Sequence, residues 1–140
     1  MGYALAEAAA NLGAEVLLVS GPVSLTVNHP NIKKIDVISA HEMFNVCMEH
    51  FASCHAAVLV AAVADYSPER IEKQKMKSKA GEKVLRLKKT KDIAKSLGEI
   101  KTSRQQLIGF ALETDNEIRH AKEKLKNKNL DYIVLNSLND

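Results

Sequence analysis

Residues 56–66 read AAVLVAAVADY, an apolar run that ends in an aspartate and a tyrosine. The run from Ala56 to Ala62 has no polar position, which is typical of a strand buried on both faces of a parallel sheet. Small residues continue to Asp65 and suit a loop where a ligand approaches the backbone. The stretch therefore predicts an α/β domain with its site at the carboxyl end of a central strand.

Helix and strand patterns alternate on both sides of this stretch. Predicted helices cover 2–12, about 39–53, 92–97 and about 114–127, and the second and fourth begin in capping boxes at Ser39 and Thr114. Predicted strands cover 15–20, 35–38, 56–62, 84–87, 106–110 and 132–135. The alternation predicts one nucleotide-binding α/β domain over 1–140, a three-layer Rossmann-like parallel sheet.

The first predicted helix begins at residue 2 with no strand before it. In doubly wound folds a strand and a glycine-rich turn precede that helix, and Gly2 suits the last glycine of such a turn. The chain also stops soon after its final strand. We therefore expect a partial domain, truncated before its first strand and at the C-terminus. We expect the isolated chain to be inactive.

Composition excludes several classes of protein. The chain is 46% hydrophobic, which argues against disorder, and its longest apolar run is too short to cross a membrane. Two cysteines form no disulfide framework, and a cytoplasmic location is predicted. The net charge of +3 is too small to indicate nucleic acid, and the basic segment lacks interleaved aromatic residues.

Basic residues concentrate in one segment, in which Glu82 is the only acidic residue: Lys73, Lys75, Lys77, Lys79, Lys83, Arg86, Lys88, Lys89 and Lys91. A solvated lysine face is the simpler interpretation of this pattern. A phosphate-binding flap over about 72–83 is the more specific one, since lysine binds phosphate as a mobile point charge.

Four loops after predicted strands share the expected carboxyl edge of the sheet: 20–24, 61–66, 111–114 and 136–140. Within them Asp65 either binds a ribose hydroxyl, binds a metal carried by phosphates or caps a turn. Cys47, His50 and Cys54 share one helix face, but three ligands from one helix span too far for one tetrahedral ion. Ordinary packing is therefore favoured for them, and Asp65 is the only candidate metal ligand.

The chain resembles the synthetase domain, a phosphopantothenate–cysteine ligase, of the bacterial phosphopantothenoylcysteine synthetase/decarboxylase family. The stretches that carry the resemblance are Met1–Ala9, Val19–Val23, Ala61–Tyr66, Lys75–Lys77 and Gly109–Thr114, with Lys89–Ile93 and Asn136 fitting as well. The resemblance implies CTP-dependent ligation of 4′-phosphopantothenate to cysteine through an acyl-cytidylate, with Mg²⁺, in coenzyme A biosynthesis. It also implies a homodimer and fusion to a flavin-dependent decarboxylase domain in a longer parent.

Carried over by residue, the resemblance makes Lys75 catalytic. It assigns nucleotide binding to Ala61, Ala62, Val63, Ala64, Asp65, Lys77, Lys89 and Phe110. The sequence departs from the family pattern at two places. The family flap usually has two lysines after its hydrophobic residue, but here Ser78 follows Lys77, and whether Lys79 substitutes for the second lysine stays open. Thr90-Lys91 stand where the family often has Asn-Pro. An NAD(P)-binding Rossmann oxidoreductase and a non-catalytic nucleotide-binding fragment are the alternatives. The oxidoreductase would need a glycine fingerprint, but Gly21-Pro22-Val23 follows the first strand.

Overall fold

A computed structural model describes residues 1–70, 74, 84–113 and 115–137. The helices of this part are α1 (Gly2–Asn11), α2 (Ala40–Phe51), α3 (Ile93–Ile100) and α4 (Glu117–Asn127). The strands are β1 (Val16–Ser20), β2 (Ile32–Asp36), β3 (Ala56–Leu59), β4 (Tyr66–Pro68), β5 (Leu87–Lys89), β6 (Gln106–Glu113) and β7 (Tyr132–Ser137). None of these described helices is long and apolar enough to cross a membrane.

Parallel pairing confirms the predicted α/β class. β1 pairs with β2, and a second sheet has the order β3-β6-β7, with every neighbouring pair in both sheets parallel. β4 and β5 form a separate antiparallel pair that the sequence patterns did not predict. This hairpin follows β3 directly and therefore lies next to the loop that the sequence singles out.

One apolar cluster holds the three-stranded sheet against three helices. Its buried members are Phe51, Ile93, Leu97, Leu107 and Leu130, and partly buried side chains from α2, α4, β3 and β7 pack against them. Leu97 and Leu107 are fully buried. By contrast, α1 contributes nothing to this cluster and packs against β1 and β2.

β3 is shorter and more exposed than predicted. The strand ends at Leu59 rather than Ala62, and its exposed residues alternate with partly buried ones. Val58 keeps 50% of its surface exposed. Among the described strands only β6 pairs with β3, so one edge of β3 carries no partner there. The prediction of a strand buried on both faces is therefore wrong.

The structure bears on three local signals for helix ends and confirms two of them. Ser39 Oγ accepts a hydrogen bond from Glu42 N at 3.1 Å, which confirms the cap of α2. Gly13 follows α1 with φ of 92°, the left-handed conformation expected of a residue that ends a helix. The N-cap of α4 is Asn116, itself left-handed and without a side-chain cap bond, so α4 begins at Glu117, later than predicted. Thr114 itself lies outside the described residues.

Two predicted strands are also displaced. β2 covers Ile32–Asp36 instead of 35–38, because its parallel register with β1 pairs Val16 with Ile32. β5 covers Leu87–Lys89 instead of 84–87, because pairing with Tyr66–Pro68 fixes its register. In both cases a partner strand overrides the local alternation of apolar residues.

An ion pair joins the segments that precede β6 and β7, at the amino edge of the sheet. Lys101 Nζ donates to both carboxylate oxygens of Asp131 at 2.8 Å, and Leu107 N donates to Asp131 Oδ2 at 2.6 Å. The Lys101 side chain is only 9% exposed. The hydrogen bond from Lys101, aided by that from Leu107, lowers the pKa of Asp131. The ionised carboxylate is therefore part of the folded arrangement.

We expect Asp131→Asn to lower the free energy of unfolding by about 1 kcal/mol at pH 7, since the charge partner of Lys101 is lost. Because the folded pKa is lowered, this stability is present above the ordinary aspartate value of about 3.9 and is lost as pH falls through the folded pKa. Urea unfolding at several pH values should show the difference from wild type shrinking in acid. Asp36→Asn, which breaks a more exposed pair with Lys34, is the control. A difference independent of pH would contradict the prediction.

Candidate functional site

The start of α1 lies between the carboxyl ends of two strands from different sheets. Tyr3 Oη is 2.9 Å from Ser20 Oγ, at the end of β1. A Cβ built on Gly2 would lie 3.8 Å from Val60 Cβ, just after β3. Both sheets therefore present carboxyl ends beside the same turn of α1. In open parallel sheets this edge is where ligands bind.

Polar groups fix the β1 side of this edge. Ser20 Oγ donates to Gly21 O at 3.0 Å, so the Tyr3 hydroxyl is the donor to Ser20 Oγ. Lys34 Nζ lies 2.8 Å from Asp36 Oδ1 and 5.9 Å from the Tyr3 ring centroid. The hydrogen bond to Asp36 raises the pKa of Lys34. Sequence analysis missed the role of Tyr3 here, because a tyrosine in a helix gives no sign of its distant partner.

The loop after β3 combines an apolar anchor with exposed small residues. Val63 is partly buried and packs against the apolar cluster. Ala61, Ala62, Ala64 and Asp65 are exposed. The exposed residues of the loop before Asp65 are alanines, so their own side chains are too small to cover its backbone. Val63 thus anchors the loop to the apolar cluster, while the alanines and Asp65 are exposed.

The β4–β5 hairpin brings Lys89 to this loop. Tyr66 pairs with Lys89 in the antiparallel ladder. The next residue, Thr90, donates from its backbone N to Asp65 O at 2.8 Å and from Oγ1 to Ala64 O at 2.6 Å. The structure therefore joins Asp65 and Lys89, which the sequence places 24 positions apart. Thr90 makes both bonds, and no local pattern indicated it as the connecting residue.

The remaining predicted site residues are Phe110, Lys75 and Lys77. Phe110 is half-buried within β6, which continues to Glu113 instead of ending at Phe110. By strand alternation it faces away from the side on which Leu107 meets the apolar cluster. Lys75 and Lys77, with most of the predicted flap over 72–83, lie outside the described residues.

The described residues offer no cluster of three or more histidine, cysteine or acidic side chains for a metal ion. Burial raises the pKa of the Cys47 thiol, which disfavours the thiolate that a metal requires. Cys54 Sγ donates to His50 O at 3.3 Å, in keeping with ordinary packing. A depression of about 380 Å³ lies at the amino edge, lined in part by Phe51, Cys54, His55, Ile100 and Arg104. It is therefore remote from the loop after β3.

Comparison with known proteins assigns the whole chain to one family. Residues 1–140 match a family model described as the DNA/pantothenate metabolism flavoprotein C-terminal domain. A cysteine/cysteine sulfinic acid decarboxylase from an unknown prokaryotic organism is 54% identical over 140 residues, which are the entire chain and 39% of that protein. The coenzyme A biosynthesis bifunctional protein CoaBC of Bacillus subtilis is 46% identical over 99% of the chain and 34% of its own length.

Two crystal structures share the fold. The C-terminal domain of a coenzyme A biosynthesis bifunctional protein CoaBC aligns with TM-score 0.84 at 42% identity, over 96% of this chain and 62% of that one. The DNA/pantothenate metabolism flavoprotein from Streptococcus pneumoniae aligns with TM-score 0.82 at 24% identity, over 98% and 70%. The second likeness supports the fold alone. The chain spans less than two fifths of either curated relative, so their whole activities are not transferred to it.

These findings correct several predictions made from the sequence. The family description names a flavoprotein, and the relative with 54% identity is named a decarboxylase. The family description and this relative's name contradict three predictions, which are therefore wrong: the synthetase domain, its CTP-dependent ligase activity and its magnesium ion. The NAD(P)-dependent oxidoreductase alternative does not fit these names either. The Rossmann-like α/β fold is confirmed, and coenzyme A biosynthesis is the process named for the relative from Bacillus subtilis. The chain belongs to the family of DNA/pantothenate metabolism flavoprotein C-terminal domains.

Proposed function

We propose that this chain is a domain of a bifunctional coenzyme A biosynthesis protein, and that its carboxyl edge binds a phosphate-bearing ligand. The observation that carries the proposal is the double attachment of the Ala64–Asp65 backbone to Thr90, which sets an exposed lysine, Lys89, beside a loop of small residues. A fixed loop with accessible N–H groups and a neighbouring ammonium group is suited to an anion.

Each part of the proposed site has a separate task. The backbone of Ala61–Asp65 supplies N–H donors, and Lys89 supplies positive charge. Asp65 would repel phosphate and is proposed to accept from a hydroxyl of the ligand. Lys75, Lys77 and Phe110 remain proposed contacts of the same ligand. The ligand class is a phosphorylated pantothenate derivative or a nucleotide, because both join phosphate to hydroxyl groups.

A flavin does not fit the described residues of this chain. An isoalloxazine ring needs a slot lined by apolar or aromatic side chains. The loop after β3 offers exposed alanines and Asp65 instead. The depression at the amino edge lies away from the proposed phosphate donors. Flavin chemistry suggested by the family description is therefore proposed for residues other than these.

Decarboxylation is a second candidate function, proposed for the longer protein. Its support is the decarboxylase name of the relative with 54% identity, of which this chain matches 39%. Release of carbon dioxide from cysteine, cysteine sulfinate or a phosphopantothenoylcysteine-type substrate by the full-length protein would support it. No release from any of the three would remove it.

The phosphate-binding proposal is tested by calorimetric titration of the chain with inorganic phosphate, 4′-phosphopantothenate and FMN. We expect Lys89→Ala to weaken binding of 4′-phosphopantothenate about tenfold, the effect of losing one charge-assisted hydrogen bond. Rising salt should weaken wild-type binding, since part of the attraction is coulombic.

Lys122→Ala is the matched control, because Lys122 is an exposed lysine on α4 that has no place in the proposed site. It should bind like wild type. Unphosphorylated pantothenate should bind much more weakly than its phosphorylated form. Equal binding of the two, or equal loss in both lysine variants, would overturn the phosphate site. Tight FMN binding with a perturbed visible spectrum would show that the chain holds a flavin after all.

We propose that 1–140 acts as one ligand-binding domain, that the protein works in the cytoplasm, and that it forms homodimers. Sedimentation equilibrium of the chain gives the oligomeric state directly.

A further inference from the structure

We infer that Thr90 is the positioning residue of the proposed phosphate site: its side chain and backbone fix the direction of the peptide groups in the loop after β3. The inference rests on the proposed function.

Two consecutive carbonyl groups of the loop are held by Thr90. Ala64 O accepts from Thr90 Oγ1 at 2.6 Å, and Asp65 O accepts from Thr90 N at 2.8 Å. In a planar trans peptide, the C=O of one residue and the N–H of the next point in opposite directions. Holding Ala64 O toward Thr90 therefore turns Asp65 N–H away from the hairpin. Thr90 thereby sets the direction of a donor without contacting the ligand.

Thr90 can hold the loop because its own segment is fixed. We call residues Lys89–Asp92 the strap. Its first residue pairs with Tyr66 in the ladder. Lys91 Nζ lies 4.5 Å from the centroid of the Phe44 ring, which packs against the apolar cluster. The strap is therefore attached to β4 on one side and to α2 on the other.

The last strap residue begins α3. Asp92 Oδ1 accepts from Lys95 N at 3.0 Å, and Asp92 Oδ2 lies 3.0 Å from Lys128 Nζ at the end of α4. Burial opposes ionisation of Asp92, but the bonds from Lys95 and Lys128 outweigh it and lower its pKa. An ionised Asp92 thus ties the strap to two helices. Thr90 lies between fixed points and has little freedom to follow a moving loop.

The test compares Thr90→Val, which removes the hydroxyl and keeps the shape, with Thr90→Ser, which keeps the hydroxyl. Thr102→Val is the matched control, since Thr102 Oγ1 bonds Gln105 Oε1 at 3.1 Å near the amino edge. The readouts are calorimetric affinity for 4′-phosphopantothenate, melting temperature, and NMR order parameters of the Ala64 and Asp65 amides.

We expect Thr90→Val to weaken affinity about tenfold and to lower the order parameters toward about 0.6, while its melting temperature shifts no more than that of Thr102→Val. Thr90→Ser should restore affinity and order. Wild-type affinity and order in Thr90→Val, or the same loss of affinity in Thr102→Val, would overturn the inference. If the wild type binds no phosphorylated probe, the proposed function fails. The order parameters then still decide whether Thr90 holds the loop.

Discussion

Gly98→Ala is expected to lower the free energy of unfolding by about 3 kcal/mol, although alanine is the better helix former. Gly98 lies inside α3 and is buried. A Cβ at this position would lie 2.0 Å from Lys128 O and 3.2 Å from Asn129 Cβ. The helix-propensity gain of about 1 kcal/mol is therefore outweighed by a clash with backbone. Asn129 Nδ2 also donates to Gly98 O at 2.8 Å, a bond that would be lost if α3 moved away.

Urea unfolding followed by circular dichroism measures this change. Gly21→Ala is the control, because a Cβ on Gly21 meets no atom within 4 Å and its φ is not in the left-handed region. That variant should unfold within about 0.5 kcal/mol of wild type. A Gly98→Ala protein as stable as wild type would show that α3 and the connection after α4 separate without cost.

Leu107→Ala should cost about 3 kcal/mol, within the range of 2–5 found for buried leucines. Leu107 has no exposed surface and belongs to the same cluster as Phe51, Leu97 and Leu130. Truncation would leave a void between the sheet and its helices. The neighbours are poorly placed to fill it, since Leu107 N and O also hold Asp131.

Leu12→Ala is the matched control, as Leu12 is 89% exposed just after α1. It removes the same atoms from a site where they contact mostly water, so a change below about 0.5 kcal/mol is expected. Calorimetric melting of the three proteins gives the comparison. Equal loss in both variants would mean that the cluster around Leu107 does not dominate stability.

The parts of the fold predicted from sequence are those with local causes. Ser39 and Gly13 act through bonds and backbone angles within a few residues, and both behave as expected. The errors involve partners far along the chain. Val58 is exposed because it lies on the face of β3 opposite Ala57 and Leu59, which pack against the apolar cluster. β4 exists only because residues 87–89 pair with it. The apolar run over 56–62 does not show which of its faces is covered, and residues 66–68 do not show that a partner strand follows.

In the site, too, the features that could be predicted from the sequence are those with local causes. The small residues before Asp65 marked a loop, and their position after β3 is observed. The bonds from Thr90 to this loop cross 25 and 26 positions and follow from the hairpin, which the sequence patterns did not reveal. The type of reaction was harder to predict from the sequence than the position of the loop. Lysines and alanine-rich loops recognise phosphate, but they carry little information about which bond of a substrate is broken, so the ligase assignment rested on resemblance.

The Lys101–Asp131 pair lies at the opposite edge of the sheet from Lys89 and its loop. Acidification therefore weakens both sides of the molecule, because protonation of Asp131 loosens the amino edge and protonation of Asp92 releases the strap beside the proposed ligand. An acid-tolerant version of this domain would need changes around both carboxylates. Changes around Asp131 would alter stability without reaching the proposed ligand, whereas changes around Asp92 would also reach Thr90 and the loop that it holds.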